Sequence, residues 1–269
     1  MEKNFLALGF MSGTSGDGVD SSVISSNGKD SIIIKYNRFD TYPSKLSNKI
    51  HRLKEKVSKM QDLLKYSSNI EELEREITDF HVDIAIKISK QINYDLIGFH
   101  GHTIYHNSDE KISKQIGLGT SLSRKTNKTV VYNFRQNDIK NGGEGAPLAP
   151  IYHFALIKTL LKENKVKIPI SILNIGGIAN ITEIDKDFKI SSRDIGPGNC
   201  LIDKWMRKNS NKAFDKDGNF AMKGKIDKFI FDQYMDNYYY SKINSRRSLD
   251  TNDFVISFSK CLSFFNGES

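Results

Sequence analysis

The apolar and polar pattern gives strand-like segments at 5–11, 19–25 and 31–39, separated by polar or glycine-containing turns. Three consecutive short strands predict an antiparallel meander. Pro43 and Ser44 mark a change of period. Over 44–66 and 69–92 apolar residues recur at helical spacing, and Ile70, Leu73, Ile77, Phe80, Ile84 and Ile88 form one stripe among charges. Helices with a core-facing stripe are predicted there. The short apolar run 94–99 then ends in HGHTIYH, which predicts a strand that delivers polar groups at its C-terminal end. Ligand sites in α/β folds favour that position.

A further strand is expected at 129–134, followed by NFRQNDIKNGGEGAPLAP at 133–150, where three glycines and two prolines argue against regular structure. This stretch is read as a loop and as the seam between two domains, 1–130 and 131–269. The pattern then restarts, with strands at 168–175, 178–184 and 188–191 and a helix beginning near Asn199. Within it NIGGIAN (174–180) reads as a tight hairpin between buried strands. The order of elements echoes the first half, as an internally duplicated α/β fold would.

Composition narrows the partners. The formal charge of +8 suits an anionic ligand, but the excess lies mainly in scattered lysines, and the basic stretches 204–212 and 242–247 are short. Nucleic-acid binding is therefore not expected. Cys200 and Cys261 lack the partners of a disulfide framework or a zinc site and read as free thiols. No apolar run approaches a membrane span, and the first residues lack a signal-peptide pattern, so a cytoplasmic protein without membrane contact is expected.

The candidate chemistry begins in GFMSGTSGDGVDSSVI (9–24). Gly13, Gly16 and Gly18 let backbone N–H groups approach an anion, Ser12, Thr14 and Ser15 add hydroxyl donors, and Asp17 or Asp20 could hold the water shell of a metal ion. A polar turn without a ligand is the alternative. Asp194 opens DIGPGN at a strand end, where a carboxylate can serve as a general base or cap the following helix. Arg135 offers a planar guanidinium for a carboxylate or a sugar hydroxyl, or for a surface ion pair. His100, His102 and His106 lack the cysteine or carboxylate pattern of a zinc site and are assigned at most sugar-side hydrogen bonding.

Five stretches, GFMSGTSGDGVD (9–20), GFHGHTIYH (98–106), the 133–150 loop, LNIGGIANIT (173–182) and DIGPGNCLID (194–203), together resemble the anhydro-N-acetylmuramic acid kinases. The resemblance implies an α/β, two-lobed, duplicated ribonuclease H-like fold of the kind shared with sugar kinases, actin and heat-shock ATPases. It implies ATP and Mg2+ as cofactors, an anhydro amino sugar as substrate and a bacterial host. The implied reaction is phosphorylation of the sugar O6 with hydrolytic opening of the anhydro ring, in cell-wall recycling. Nucleotide contact is carried to Gly13, Thr14, Ser15, Gly16, Asp17, Gly18, Val19 and Asp20, sugar contact to Arg135, Asp138 and His100, and the catalytic base to Asp194. His102, Asn133 and Glu144 stand where the family commonly has glutamine, aspartate and glutamine. Glu144 sets a negative charge near an acidic sugar, which Arg135 or a lysine would have to offset.

The family also continues beyond the point matching Ser269. A second lobe that is incomplete is therefore expected, with a helix at 254–265 whose Phe258, Leu262 and Phe265 need cover from a homodimer or a complementing chain. A catalytically silent family member, binding sugar or a protein partner, is the alternative to an active kinase.

Overall fold

The computed structural model describes residues 3–13, 15–107, 109–210, 212–241 and 248–254. Strands β1 (Phe5–Ser12), β2 (Gly18–Ser26) and β3 (Ile32–Thr41) form the predicted antiparallel meander, with Leu8 opposite Val23 and Ser22 opposite Asn37. Alternation turns Leu8, Phe10, Val19 and Val23 into the core.

Helices α1 (Ser44–Lys56), α2 (Met60–Lys65) and α3 (Ser67–Ser89) follow. The segment 44–66 is thus two helices and not one. Asp62 causes the break, because its carboxylate accepts the backbone N–H groups of Ser58 and Lys59 and starts a new helix there. Those bonds hold Asp62 below the usual carboxylate range. On α1 the buried residues are Leu46, Ile50 and Leu53, and on α3 the stripe from Ile70 to Ile88 lies in the core as its period requires. Each such aliphatic side chain withdrawn from water contributes about 1.5–3 kcal/mol.

Strand β4 (Leu96–Asn107) lies parallel to β1, with Leu8 beside Ile97 and Phe10 beside Phe99. It does not end at Phe99, as the apolar run suggests, but continues through HGHTIYH and changes partner on the way. Its first half pairs with β6 (Thr129–Tyr132), and its second half with β5 (Ile112–Ile116). Gly101 sits at the exchange with φ of 72°, and a Cβ there would meet the carbonyl oxygen of Ile116. The sheet order is β3-β2-β1-β4-β5.

Helix α4 (Gly119–Thr126) joins β5 to β6. The region read as a loop from 133 to 150 instead starts with helix α5 (Phe134–Lys140); its glycines come only after that helix. Helix α6 (Pro150–Lys162), which the period analysis passed over, packs against β3, and its His153 bonds Thr182 Oγ1 at 2.8 Å.

The second sheet has the order β7-β8-β9, from β7 (Ile170–Ile175), β8 (Ile178–Ile184) and β9 (Ile190–Pro197). Strand β9 starts later and runs further than the predicted 188–191, because Asp185 turns the chain through bonds to the amides of Asp187 and Lys189. The predicted hairpin at Gly176 and Gly177 forms, but β7 is not buried: Leu173 and Ile175 are 53% and 58% exposed. Helices α7 (Cys200–Asn209) and α8 (Lys228–Ser241) complete the elements, with Trp205 against Phe220 at 4.9 Å between ring centroids.

The chain divides into two compact units. One comprises 1–172 and 182–192, and the other 173–181 and 193–269. No helix among the described residues is long and apolar enough to cross a membrane. The expected helix at 254–265 and Cys261 lie outside the described residues except for Phe254, while Cys200 is a buried free thiol.

The partner exchange in β4 yields a stability test. Gly28 has φ of 74° with open space around it, so Gly28→Ala is expected to lose only the left-handed strain, about 1–2 kcal/mol. Gly101→Ala adds a collision with the Ile116 carbonyl and is expected to lose more, as measured by urea denaturation. Equal losses would mean that the β4–β5 exchange does not depend on Gly101.

Candidate functional site

The polar loop between β1 and β2 is braced from below and from one side. Its first residue, Ser12, is buried and meets two groups: Tyr42 donates its phenol proton to Ser12 Oγ at 2.9 Å, and Ser12 Oγ lies 2.8 Å from His102 Nδ1. With Tyr42 as donor, the Ser12 proton serves His102 Nδ1, which leaves the imidazole proton on Nε2. Burial pushes the Tyr42 phenol up to about 12 and holds His102 well below its ordinary value, helped by the Lys54 charge, so both act as neutral groups. His102 Nε2 has no hydrogen-bond partner among the described residues.

Above this chain the loop is pinned by its backbone. The Gly16 amide bonds Gly13 O, Ser47 Oγ donates to Gly16 O at 2.7 Å, and the Tyr42 amide bonds Asp17 O. Gly16 takes φ of 62°, open to glycine at low cost, and Gly18 packs against Asp40 and the ring of Phe39 too closely to admit a Cβ. Ser15 Oγ donates to Asp17 Oδ1 at 2.6 Å. Asp20 is pushed above its ordinary value, first by partial burial and then by the charge of Asp17. Two carboxylates that repel one another in a glycine- and hydroxyl-rich loop suit a hydrated divalent cation. Among the described residues no group of three or more histidine, cysteine or carboxylate ligands exists. Val19 is fully buried, so only its backbone could face a ligand; Thr14 lies outside the described residues.

A second cluster joins β4 to α5. Arg135 Nε donates to His100 Nε2 at 3.1 Å, which assigns the His100 proton to Nδ1, donated to Gly101 O at 2.9 Å. Burial and then the Arg135 charge push His100 down to about 4. Asp138, one turn along α5, accepts the Gly145 amide at 2.7 Å, and Gly143 lies against its carboxylate where a side chain would not fit. Asp138 thereby organises the glycine loop. The three histidines do not converge: His102 turns to Ser12, His106 to Ser113 Oγ at 3.0 Å, and His100 to Arg135.

Asp194 lies in the second half of β9, in the other unit. Its Oδ2 accepts the Leu249 amide at 2.8 Å and Ser248 Oγ at 3.2 Å. It does not cap α7. The amides of Gly198, Asn199 and Cys200 are taken by the carbonyls of Gly176 and Gly177, so NIGGIAN closes the start of that helix and these three amides are committed within the protein. Gly198 must be glycine because a Cβ would strike the Gly176 carbonyl.

The glycine loop with its carboxylates, the Arg135–His100 pair and the restrained Asp194 occupy the positions of the motifs quoted above. A sequence model described as anhydro-N-acetylmuramic acid kinase matches residues 5–258. This chain belongs to the anhydro-N-acetylmuramic acid kinase family. Among curated relatives, the anhydro-N-acetylmuramic acid kinase of Pelagibacter ubique is 44% identical over 275 residues, covering 100% of this chain and 72% of that protein. Those of Rhizobium etli and Agrobacterium fabrum are 35% and 36% identical over 254 residues, covering 93% of this chain and 68% and 67% of theirs. Among solved structures, the Aquifex aeolicus PPX-GPPA enzyme aligns with a TM-score of 0.36 and 11% identity over 87% of this chain and 64% of that one, too slight a likeness to bear on fold or function.

For a member of the anhydro-N-acetylmuramic acid kinase family, the structure places Gly13 and Ser15–Asp17 in the β1–β2 loop with Gly18–Asp20 at the start of β2, and His100, Arg135 and Asp138 on β4 and α5. The partners that hold them were not legible in the residue pattern: Tyr42, Ser47, Ser248 and Leu249 act across separations of 30 to 55 residues. A hydroxyl at such a distance leaves no local signal.

The buried histidines set a pH dependence. His81 sits edge-on to Phe10 and Phe99, with Nδ1 on Ile77 O, and burial pushes it down to about 4. In the unfolded chain it takes up a proton below its ordinary 6.5. Between these values the unfolded state binds more protons, so stability falls as pH drops from about 6.5 toward 4, by at most about 1.4 kcal/mol per pH unit per histidine. His81→Leu is expected to flatten that slope in denaturant melts across the window; an unchanged slope would contradict a neutral His81.

Proposed function

We propose that this chain is an ATP-dependent kinase that phosphorylates 1,6-anhydro-N-acetylmuramic acid at O6 while water opens the anhydro ring, giving N-acetylmuramic acid 6-phosphate in cell-wall recycling. The observation that carries it is the family match over 5–258, with the glycine loop, the Arg135–His100 pair and Asp194 all at the family's motif positions. The polyphosphate lies along the backbone and hydroxyls of Gly13, Thr14, Ser15, Gly16, Asp17, Gly18, Val19 and Asp20. Phosphoryl transfer needs mostly positioning and charge stabilisation, which amides and hydroxyls supply. Asp17 and Asp20 would hold Mg2+ through its water shell, and the ion would offset charge on the phosphates. Arg135, with His100 beside it, pairs with the lactyl carboxylate or a sugar hydroxyl, and Asp138 shapes the loop that frames the sugar.

Asp194 takes a proton from water as the water oxygen bonds the anomeric carbon. The bond from that carbon to O6 breaks, and O6 takes the terminal phosphoryl group of ATP, leaving ADP. The fold for this chemistry is two-lobed and duplicated, ribonuclease H-like, and the enzyme works in the bacterial cytoplasm.

The test is incubation with Mg-ATP and the anhydro sugar, followed by mass spectrometry for the phosphorylated, ring-opened product. Asp194→Asn is expected to lower kcat by about 10²–10⁴-fold, the usual contribution of a general base. A folded chain that forms no product would leave the silent family member as the correct description. Arg135→Ala is expected to raise the sugar KM by roughly 10–100-fold, the worth of a charge-assisted hydrogen bond, with the ATP KM unchanged; an equal rise in both would remove Arg135 from the sugar side.

A further inference from the structure

We infer that Ser248 is a positioning residue for Asp194, held in place by Lys204. The segment 248–254 forms a clasp over β9. Ser248 Oγ and the Leu249 amide both reach Oδ2 of Asp194, at 3.2 and 2.8 Å. Two donors on a single carboxylate oxygen fix the plane of the group and the direction in which it presents its other atoms. The clasp is itself anchored. Lys204 on α7 donates to the carbonyls of Thr251 and Phe254 at 2.5 and 3.1 Å, and Ser248, Thr251 and Phe254 are buried. A short 3-10 turn at Thr251–Asp253 closes on itself, the Asp250 amide meeting Asp253 Oδ2 and the Asp253 amide meeting Asp250 O. Strand, helix and clasp therefore form a closed triangle: β9 carries Asp194, α7 follows it directly, and Lys204 on α7 ties down the residues that return to Asp194.

The ammonium of Lys204 goes to backbone carbonyls, and the carboxylate receives a hydroxyl and an amide, both of defined direction. Such an arrangement sets geometry, and a general base depends on geometry, since displacement of a reacting group by about 1 Å can cost on the order of 100-fold in rate. Ser248 acts in this way only if Asp194 has the role proposed above, so the experiment separates the two.

Steady-state kinetics on the full chain would compare the parent with Ser248→Ala, Ser248→Thr and Lys204→Met, with thermal melts of each. Ser248→Ala and Lys204→Met are expected to lower kcat on the order of 10-fold, with the KM values for ATP and sugar within about twofold of the parent. Ser248→Thr, which keeps the hydroxyl, is expected to restore kcat to within about twofold of the parent. Three outcomes would overturn the assignment: an unchanged kcat in Ser248→Ala, a loss confined to KM, or a kcat loss that Ser248→Thr fails to rescue while its melting temperature matches the parent. A parent without turnover overturns the kinase proposal and this one together; a working parent with an indifferent Ser248→Ala overturns this one alone.

Discussion

The contact between Ser12 Oγ and His102 Nδ1 is where the first unit's core and its polar loop meet. Strands β1 and β4 are parallel neighbours, with core residues Phe10 and Phe99 side by side at one level. Beyond that level Ser12 on β1 and residues 101–106 on β4 are buried, so the polar groups there need partners inside the protein. Ser12 Oγ, the Tyr42 hydroxyl and His102 Nδ1 meet that requirement together, whereas His102 Nε2 has no partner among the described residues. The loop that starts at Gly13 therefore leaves the core from a defined point and direction.

The same constraint explains why β4 continues past its apolar run. His102, Thr103 and His106 are buried and bonded to Ser12, Gln115 and Ser113. The strand trades β6 for β5 at the one residue, Gly101, whose backbone can turn through a positive φ. Burial keeps His81 and His102 neutral, so neither adds a charge beneath the loop. Positive charge is supplied by Lys54 on α1, which acts on His102, and by Arg135 on α5, which acts on His100.

In the second unit, restraint comes from chain-distant returns. The start of α7 is closed by the carbonyls of the Gly176–Gly177 turn, and Asp194 is held by residues more than fifty positions further on. The amides of Gly198, Asn199 and Cys200 are thus committed within the protein. Gly198 is needed for close backbone approach inside the protein.

Where side-chain period alone decides an element, the residue pattern was sufficient. The meander of β1–β3 and the stripe of α3 follow from alternation every two or every 3.6 residues, which is local physics. The motif glycines and carboxylates were visible for the same reason, since their spacing is short. The extension of β4 and the exposure of β7 were not, because each rests on strand pairing and packing outside the local window, while the break between α1 and α2 rests on a local cap, the Asp62 carboxylate on the Ser58 and Lys59 amides, that side-chain period does not record. The sequence by itself determined the element types and the residues able to do chemistry. Only the tertiary structure decided which of them are tied down, because a hydrogen bond between Tyr42 and Ser12 or between Ser248 and Asp194 depends on where the chain returns, and short-range propensity carries no record of that return.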